Sequence, residues 1–251
     1  MKTVVFSDTH ANYAAMKAIF DQEKQFDRVI FLGDAILFGP EPEEVVTALR
    51  EMDALCLMGN HDEELFYLDS ITEMDHPEHL DWLRWTRDRL SPENIEFMKN
   101  RFETTRTADL DGRPVRLHHG NFDFGSTTRL FPDSPAAHFD EIDGMFPEDT
   151  ILLGHSHIQH DLRHGGMRFI NPGSAGHTRL GNPESCYLIV EDGEFRFEAA
   201  EYDIERTVRG MENLPLPENF KAEWVKSFRT GTVSPIYDIK DFSGLKAAGY
   251  R

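Results

Sequence analysis

The sequence predicts an α/β fold with two sheets. Three observations carry this: apolar strand-like runs alternate with amphipathic stretches near the start, later runs are separated by hairpin-turn signals, and no stretch approaches a membrane span. KTVVFS and DRVIFLG read as strands, and NYAAMKAIFDQEKQF between them carries apolar residues at helical spacing, which makes a β-α-β unit. EPEEVVTALREM followed by ALCLMG repeats the unit and points to a parallel sheet buried on both faces. From Glu63 to Asn100 the pattern is helical and rich in Trp and Leu. RFETTRTADL, RPVRLHHG, TILLGHSH, MRFINPG, SCYLIVEDG and EFRFEAAEY then read as strands, with turns at Asp111-Gly112 and Asp192-Gly193. They are expected to form a second, mostly antiparallel sheet. An insertion between Gly120 and Pro147 carries NFDFGSTTRLFPDSP and one expected helix, and the tail from Tyr202 to Arg251 holds two Pro-interrupted helical stretches and a Gly-rich end.

With 251 residues and 39% hydrophobic content the chain can bury a full core without staples, so one main domain over 1–200 and a helical extension over 201–251 packed on it are expected. Cys56 and Cys186 each sit in an apolar, strand-like run, which favours buried free thiols and a reducing compartment. The apolar run of MKTVVFSDTH is too short for a signal peptide, so the cytoplasm is the expected location. A net charge of −19 repels polyanions and lipid headgroups at long range. Bulk nucleic-acid binding and membrane attachment are thereby disfavoured, a small phosphorylated substrate remains compatible, and self-association stays open.

Polar clusters concentrate where strands end. Asp8 and His10 follow the first strand, Gly33-Asp34 the second and Gly59-Asn60-His61-Asp62 the third. In a parallel sheet these loops share one edge, where ligands bind. His118-His119-Gly120 and Gly154-His155-Ser156-His157 add imidazoles after later strands. Singly, each cluster is weak, because a lone Asp-x-His or Gly-Asp is more often a turn or a cap.

As an ordered set, Asp-x-His, Gly-Asp, Gly-Asn-His-Asp, His-Gly and Gly-His-Ser-His resemble the calcineurin-like metallophosphoesterase family. Asn171-Pro172-Gly173-Ser174 and LGDAILFGPEPEEVV extend the likeness to its small bacterial and archaeal phosphodiesterase branch. The likeness covers roughly the first three-quarters of the chain. The fold it implies is of the α/β (α+β) class, a sandwich of two mixed sheets flanked by helices, over residues 1–200, with the insertion at 121–146 a candidate lid. The activity it implies is hydrolysis of a small phosphodiester or nucleotide-like substrate by a hydroxide held between two metal ions.

Carried over by motif, the resemblance makes Asp8, His10 and His157 ligands of one ion and Asn60, His119 and His155 ligands of the other, with Asp34 bridging. Imidazole, carboxylate and amide donors suit borderline ions, Mn²⁺ first and Fe²⁺, Zn²⁺ or Ni²⁺ as alternatives, rather than all-oxygen Ca²⁺. Two ions about 3.5–4 Å apart can clamp both attacking and leaving oxygens. Adjacent strand residues face opposite ways, so of His118 and His119 only one can reach the ions, and the family pattern selects the one before the glycine. His61, left free of metal, becomes the candidate general acid, and its alternative is a structural histidine.

One departure narrows the activity. Protein phosphatases of the family carry Gly-Asp-x-x-Asp-Arg-Gly at the second motif, but Leu37 and Phe38 stand in the Asp and Arg places here. Protein phosphatase chemistry is therefore disfavoured, and another group must orient His61, with Asp62 the sequence neighbour. Phosphomonoesterase activity and a non-catalytic scaffold, as in the retromer subunit of this fold, stay as alternatives. Arg179 and Arg129 are candidates to grip phosphate, and Phe122 with Phe124 to stack on a base, although packing is the commoner use of aromatics. His76, His79, His138, His160, His164 and His177 show no ligand spacing.

Overall fold

A computed structural model describes residues 1–71, 77–233 and 240–251. In chain order the strands are β1 (Thr3–Phe6), β2 (Arg28–Phe31), β3 (Leu55–Leu57), β4 (Phe102–Glu103), β5 (Thr105–Leu110), β6 (Arg113–His118), β7 (Thr150–Leu152), β8 (Gln159–His164), β9 (Met167–Pro172), β10 (Ser185–Glu191) and β11 (Glu194–Ala200). The helices are α1 (Tyr13–Gln22), α2 (Pro42–Glu51), α3 (Asn60–Tyr67), α4 (Pro77–Arg89), α5 (Pro92–Arg101), α6 (Ala136–Ile142), α7 (Ile204–Glu212), α8 (Glu218–Thr230) and α9 (Ser243–Ala247).

The first sheet runs β11-β10-β1-β2-β3-β4 and the second β5-β6-β7-β9-β8. β1 to β4 are parallel, as their intervening helices require. Three expectations are corrected, the first being that the start of RFETTRTADL, β4, joins the first sheet beside β3 rather than the second. The β10–β11 hairpin joins the first sheet, antiparallel to β1, instead of the second. The second sheet is mixed: β6 and β9 both run parallel to β7, while the outer pairs β5–β6 and β8–β9 are antiparallel. Runs such as SCYLIV are apolar on both faces and so do not declare which sheet they join. The turns of the β5–β6 and β10–β11 hairpins each have two successive positive-φ residues, Asp111-Gly112 and Asp192-Gly193, matching the right-handed twist of the flanking strands.

Alternation along the strands divides the core. Val5, Ile30, Leu57 and Leu188 face Val115, Leu117, Leu152 and Ile170 between the sheets. Val4, Phe6 and Phe31 point the other way, into a larger layer with Trp82 of α4, Val208 and Met211 of α7 and Trp224 and Phe228 of α8. α7 and α8 thus close the first sheet's outer face. The insertion covers the outer face of the second sheet, where Leu130, Phe139 and Ile142 pack on Ile151 and Phe169. Among the described residues no helix is long and apolar enough to cross a membrane.

Candidate metal centre

The loops after β1, β2, β3, β6 and β7 meet at one edge of the sandwich. Asp8, His10, Asp34, His155 and His157 all adopt positive φ, between 49° and 65°. Such backbone is costly for residues with a Cβ, and its concentration at one place marks a site that the surrounding structure over-determines. Glycines make the approach feasible. A Cβ on Gly59 would overlap the Asp34 carboxylate and backbone nitrogen, and one on Gly154 would overlap Ser7 Oγ.

Buried hydrogen bonds lock the loops together. Asp62 accepts N–H bonds from Asp34 (2.8 Å), Ala35 (2.9 Å), Ile36 (3.3 Å) and Gly59 (3.0 Å), so it ties the second loop to the third. Its carboxylate is committed to backbone, not to His61. Asn171 donates to Gly154 O (2.6 Å) and Ser156 Oγ (3.0 Å), while Ser174 Oγ donates to Asp8 O (2.7 Å). The Asn-Pro-Gly-Ser turn therefore braces the first and last ligand loops.

Two candidate ligand groups result, Asp8–His10–His157 and Asp34–His119–His155, all buried. Asp34 Oδ2 lies 3.3 Å from His119 Nε2 and 3.9 Å from His10 Nε2, between the groups. Asn60 Oδ1 is 3.2 Å from His119 Nε2. His119 Nδ1 meets Leu32 O at 2.8 Å and His157 Nδ1 meets His177 O at 2.6 Å. Donation to those carbonyls leaves each Nε2 lone pair facing the carboxylates, the orientation a metal-binding imidazole needs. His155 Nε2 pairs with Thr128 Oγ1 at 3.0 Å, a partner from the insertion that its sequence context does not announce.

The donor set fits divalent ions. His10 Nε2 and His157 Nε2 face each other at 3.1 Å with Asp8 Oδ1 3.2 Å from the latter, and His10 Nδ1 is buried without a hydrogen-bond partner. Lone pairs and carboxylates so gathered repel unless a proton or a cation lies among them. Burial pushes His10 down to about 3 and drives His155 and His157 well below the ordinary histidine range, so these rings are neutral donors. Burial opposes charge on His119 too, yet Asp34 outweighs it and raises that ring to about 9. A proton on His119 and a bound cation are alternative ways to satisfy the same carboxylate.

Above the groups lies a cavity of about 80 Å³. Its floor is His10, Asp34, His155 and His157; its wall holds His61, Phe38, His79, His177 and Trp224, with Arg129 and Arg179. Phe38 stacks on Trp224 of α8 (4.7 Å, 10°) and meets His61 edge-on (4.7 Å, 80°). Both expected arginines thus reach the cavity, whereas Phe122 is not among its lining residues. It stacks instead on His118 (4.2 Å, 13°), and Phe124 stacks on His138 (4.3 Å, 5°), because these rings fasten the insertion to the second sheet. His118 lies behind His119 and accepts from Gly120 N. Sequence reasoning missed Thr128, Glu64, His79, His177 and Trp224: none stands in a motif, and His79 and Trp224 arrive by helix packing while Thr128 and His177 arrive on loops. His76 lies outside the described residues.

A two-sheet α/β sandwich with two candidate metal-ligand groups on its strand-end loops defines a class of metal-site proteins. Residues 1–193 match the calcineurin-like phosphoesterase superfamily domain, and the chain belongs to that superfamily. It is 28% identical over 235 residues to an uncharacterized protein of Methanocaldococcus jannaschii, covering 85% of this chain and 93% of that one. Its fold is similar to a metallophosphoesterase from Sphaerobacter thermophilus (TM-score 0.74, 24% identity, 92% of this chain and 100% of that chain). It is also similar to a hypothetical protein from Pyrococcus horikoshii (TM-score 0.76, 17% identity, 92% and 98%).

Proposed function

We propose that this chain is a phosphodiesterase using two divalent transition-metal ions, Mn²⁺ first, to hydrolyse a small phosphodiester or nucleotide-like substrate in the cytoplasm. The observation that carries the reading is the pair of neighbouring buried ligand groups, with Asp34 of one group 3.9 Å from His10 of the other. Asp8, His10 and His157 would hold one ion, Asn60, His119 and His155 the other, with Asp34 between. When bound, the ions supply Lewis-acid charge to phosphate oxygens and a nucleophilic water at neutral pH. Arg129 and Arg179 attract and orient the anionic ester in a chain whose net charge is otherwise −19. His61, at the cavity wall, protonates the departing oxygen. A cavity of about 80 Å³ admits a phosphoryl group and leaves the remainder of the substrate at the mouth, which suits a slim diester better than a phosphoprotein. The insertion, which brings Thr128 to His155, acts as a flank or lid. Buried free Cys56 and Cys186 suit a reducing compartment.

The test is a panel of cyclic nucleotides, dinucleoside polyphosphates, a bis-aryl phosphate and a phosphoprotein, assayed with Mn²⁺ and with chelator. Metal-dependent turnover of the diesters is expected. Turnover of the phosphoprotein alone, or activity untouched by chelator, would overturn the reading.

A further inference from the structure

α3 starts at Asn60, so His61 and Glu64 stand three residues apart on its first turns and their side chains meet. His61 Nδ1 lies 3.2 Å from Glu64 Oε2, and the same oxygen lies 2.7 Å from His79 Nε2. The second histidine arrives from α4, a helix anchored by the fully buried Trp82 and Leu83. Phe38 covers the cluster edge-on, 4.7 Å from the His61 ring and 5.4 Å from the His79 ring. Burial disfavours charge on Glu64, but hydrogen bonds from His61 and His79 outweigh it and hold the carboxyl down to about 2. An ionised carboxylate can only accept, so both facing ring nitrogens are donors.

We propose that Glu64 and His79 are positioning residues for His61: Glu64 takes the Nδ1–H and so turns Nε2 toward the leaving group, and His79 clamps Glu64 in place. This rests on the phosphodiesterase reading and supplies the orienting group that Leu37 cannot and Asp62 does not. The clamp is needed because Glu64 is 24% exposed and, on a helix surface, free to rotate toward water if His79 did not hold it. In the reaction, water adds to phosphorus and the P–O bond to the leaving group breaks. The bond pair stays on the departing oxygen, which takes the Nε2 proton of His61 and leaves as the alcohol. The proton lost by the attacking water restores the ring, so diester and water yield monoester and alcohol. A ring free to spin would present the proton only part of the time, and kcat would fall with little change in KM.

Two measurements test this on the full chain. In the first, Glu64→Ala, Glu64→Gln and His79→Ala are assayed on a diester with an alkyl leaving group and on one with an aryl leaving group, beside metal content. Glu64→Ala should lower kcat on the alkyl ester by about 10–100-fold, the range for lost outer partners of a site residue, and on the aryl ester far less. Glu64→Gln should recover part of the loss, because its amide oxygen still accepts Nδ1–H. His79→Ala should show the same selectivity more weakly and add nothing to Glu64→Ala. In the second, ¹⁵N-histidine NMR above the imidazole titration should show His61 as the Nδ1–H tautomer in the wild type and a mixture in Glu64→Ala. Equal losses on both esters, an ion lost with Glu64, or an Nε2–H wild-type ring would overturn the proposal. Loss of an ion would instead make His61, Glu64 and His79 a cation site. If the wild type hydrolyses neither ester, the phosphodiesterase reading falls, while the NMR result still decides the positioning.

Discussion

The floor of the cavity is made by loops that follow strands, whereas its wall is made by α3, α4 and α8, by Arg129 of the insertion and by the loops that bear Phe38, His177 and Arg179. Every floor residue is held by backbone: positive φ at Asp8, His10, Asp34, His155 and His157, and N–H or carbonyl bonds to Asp34, Asp62, His119 and His157. Wall residues are held by side-chain contacts, Phe38, which also has positive φ, by stacking on Trp224 and His79 by its hydrogen bond to Glu64. Backbone fixation demands particular residue types at particular spacings; packing accepts any side chain of suitable shape. Changes to the floor should therefore act on all substrates alike, and changes to the wall should discriminate among them.

The largest effect is expected at Asp34. Asp34→Asn keeps the volume but removes the charge between the two groups, and turnover of alkyl and aryl diesters should fall together to background; a selective loss would place Asp34 in the wall. His61 lies where floor and wall meet. His61→Ala should lower kcat by roughly 10²–10⁴ on an alkyl diester, less on an aryl one, with metal retained, which parallel kinetics and elemental analysis would check.

Trp224 tests the wall itself. Trp224→Ala should cost about 3–5 kcal/mol of stability in denaturant unfolding, since the ring is only 1% exposed, and should raise KM for a nucleotide-like diester more than for a small aryl phosphate. A parallel rise on both substrates would deny Trp224 a part in selection. The Phe122→Ala, Phe124→Ala pair should lower stability by about 1–2 kcal/mol and leave KM for every substrate nearly unchanged, since these rings pack against His118 and His138. A tenfold rise in KM confined to nucleotides would return them to the cavity.

The smallest effect concerns pH. Glu64 is held at about 2 in the fold against an ordinary 4.5, so the unfolded chain binds its proton first on acidification. Its contribution to stability is present above about pH 4.5 and is lost as pH falls toward 2. The Tm gap between wild type and Glu64→Gln should close across that window in metal-free protein; a constant gap would mean the contact is not ionic.

The same contrast explains what the sequence disclosed. Most strands, the β-α units and the loops bearing Asp8, Asp34, Asn60, His119, His155 and His157 were legible because each rests on local periodicity or on a motif of glycines and acids, whereas β8 was not and the mixed character of the second sheet came only from the family resemblance. The place of the β10–β11 hairpin was not legible, because β10 is apolar on both faces and either sheet could have received it. His79 and Trp224 were illegible for another reason: they reach the site through the packing of α4 and α8, which neither spacing nor residue type records, whereas the i, i+3 spacing of His61 and Glu64 was present in the sequence. Phe122 carried a misleading signal: an aromatic beside a ligand motif reads the same whether it faces a substrate or a neighbouring imidazole.

The central claim is that the floor holds two divalent ions with Asp34 between them. Elemental analysis of protein stripped with chelator and reconstituted with Mn²⁺ tests it most directly. The account predicts about two ions per chain for the wild type. A single ion, or none above background, would contradict it.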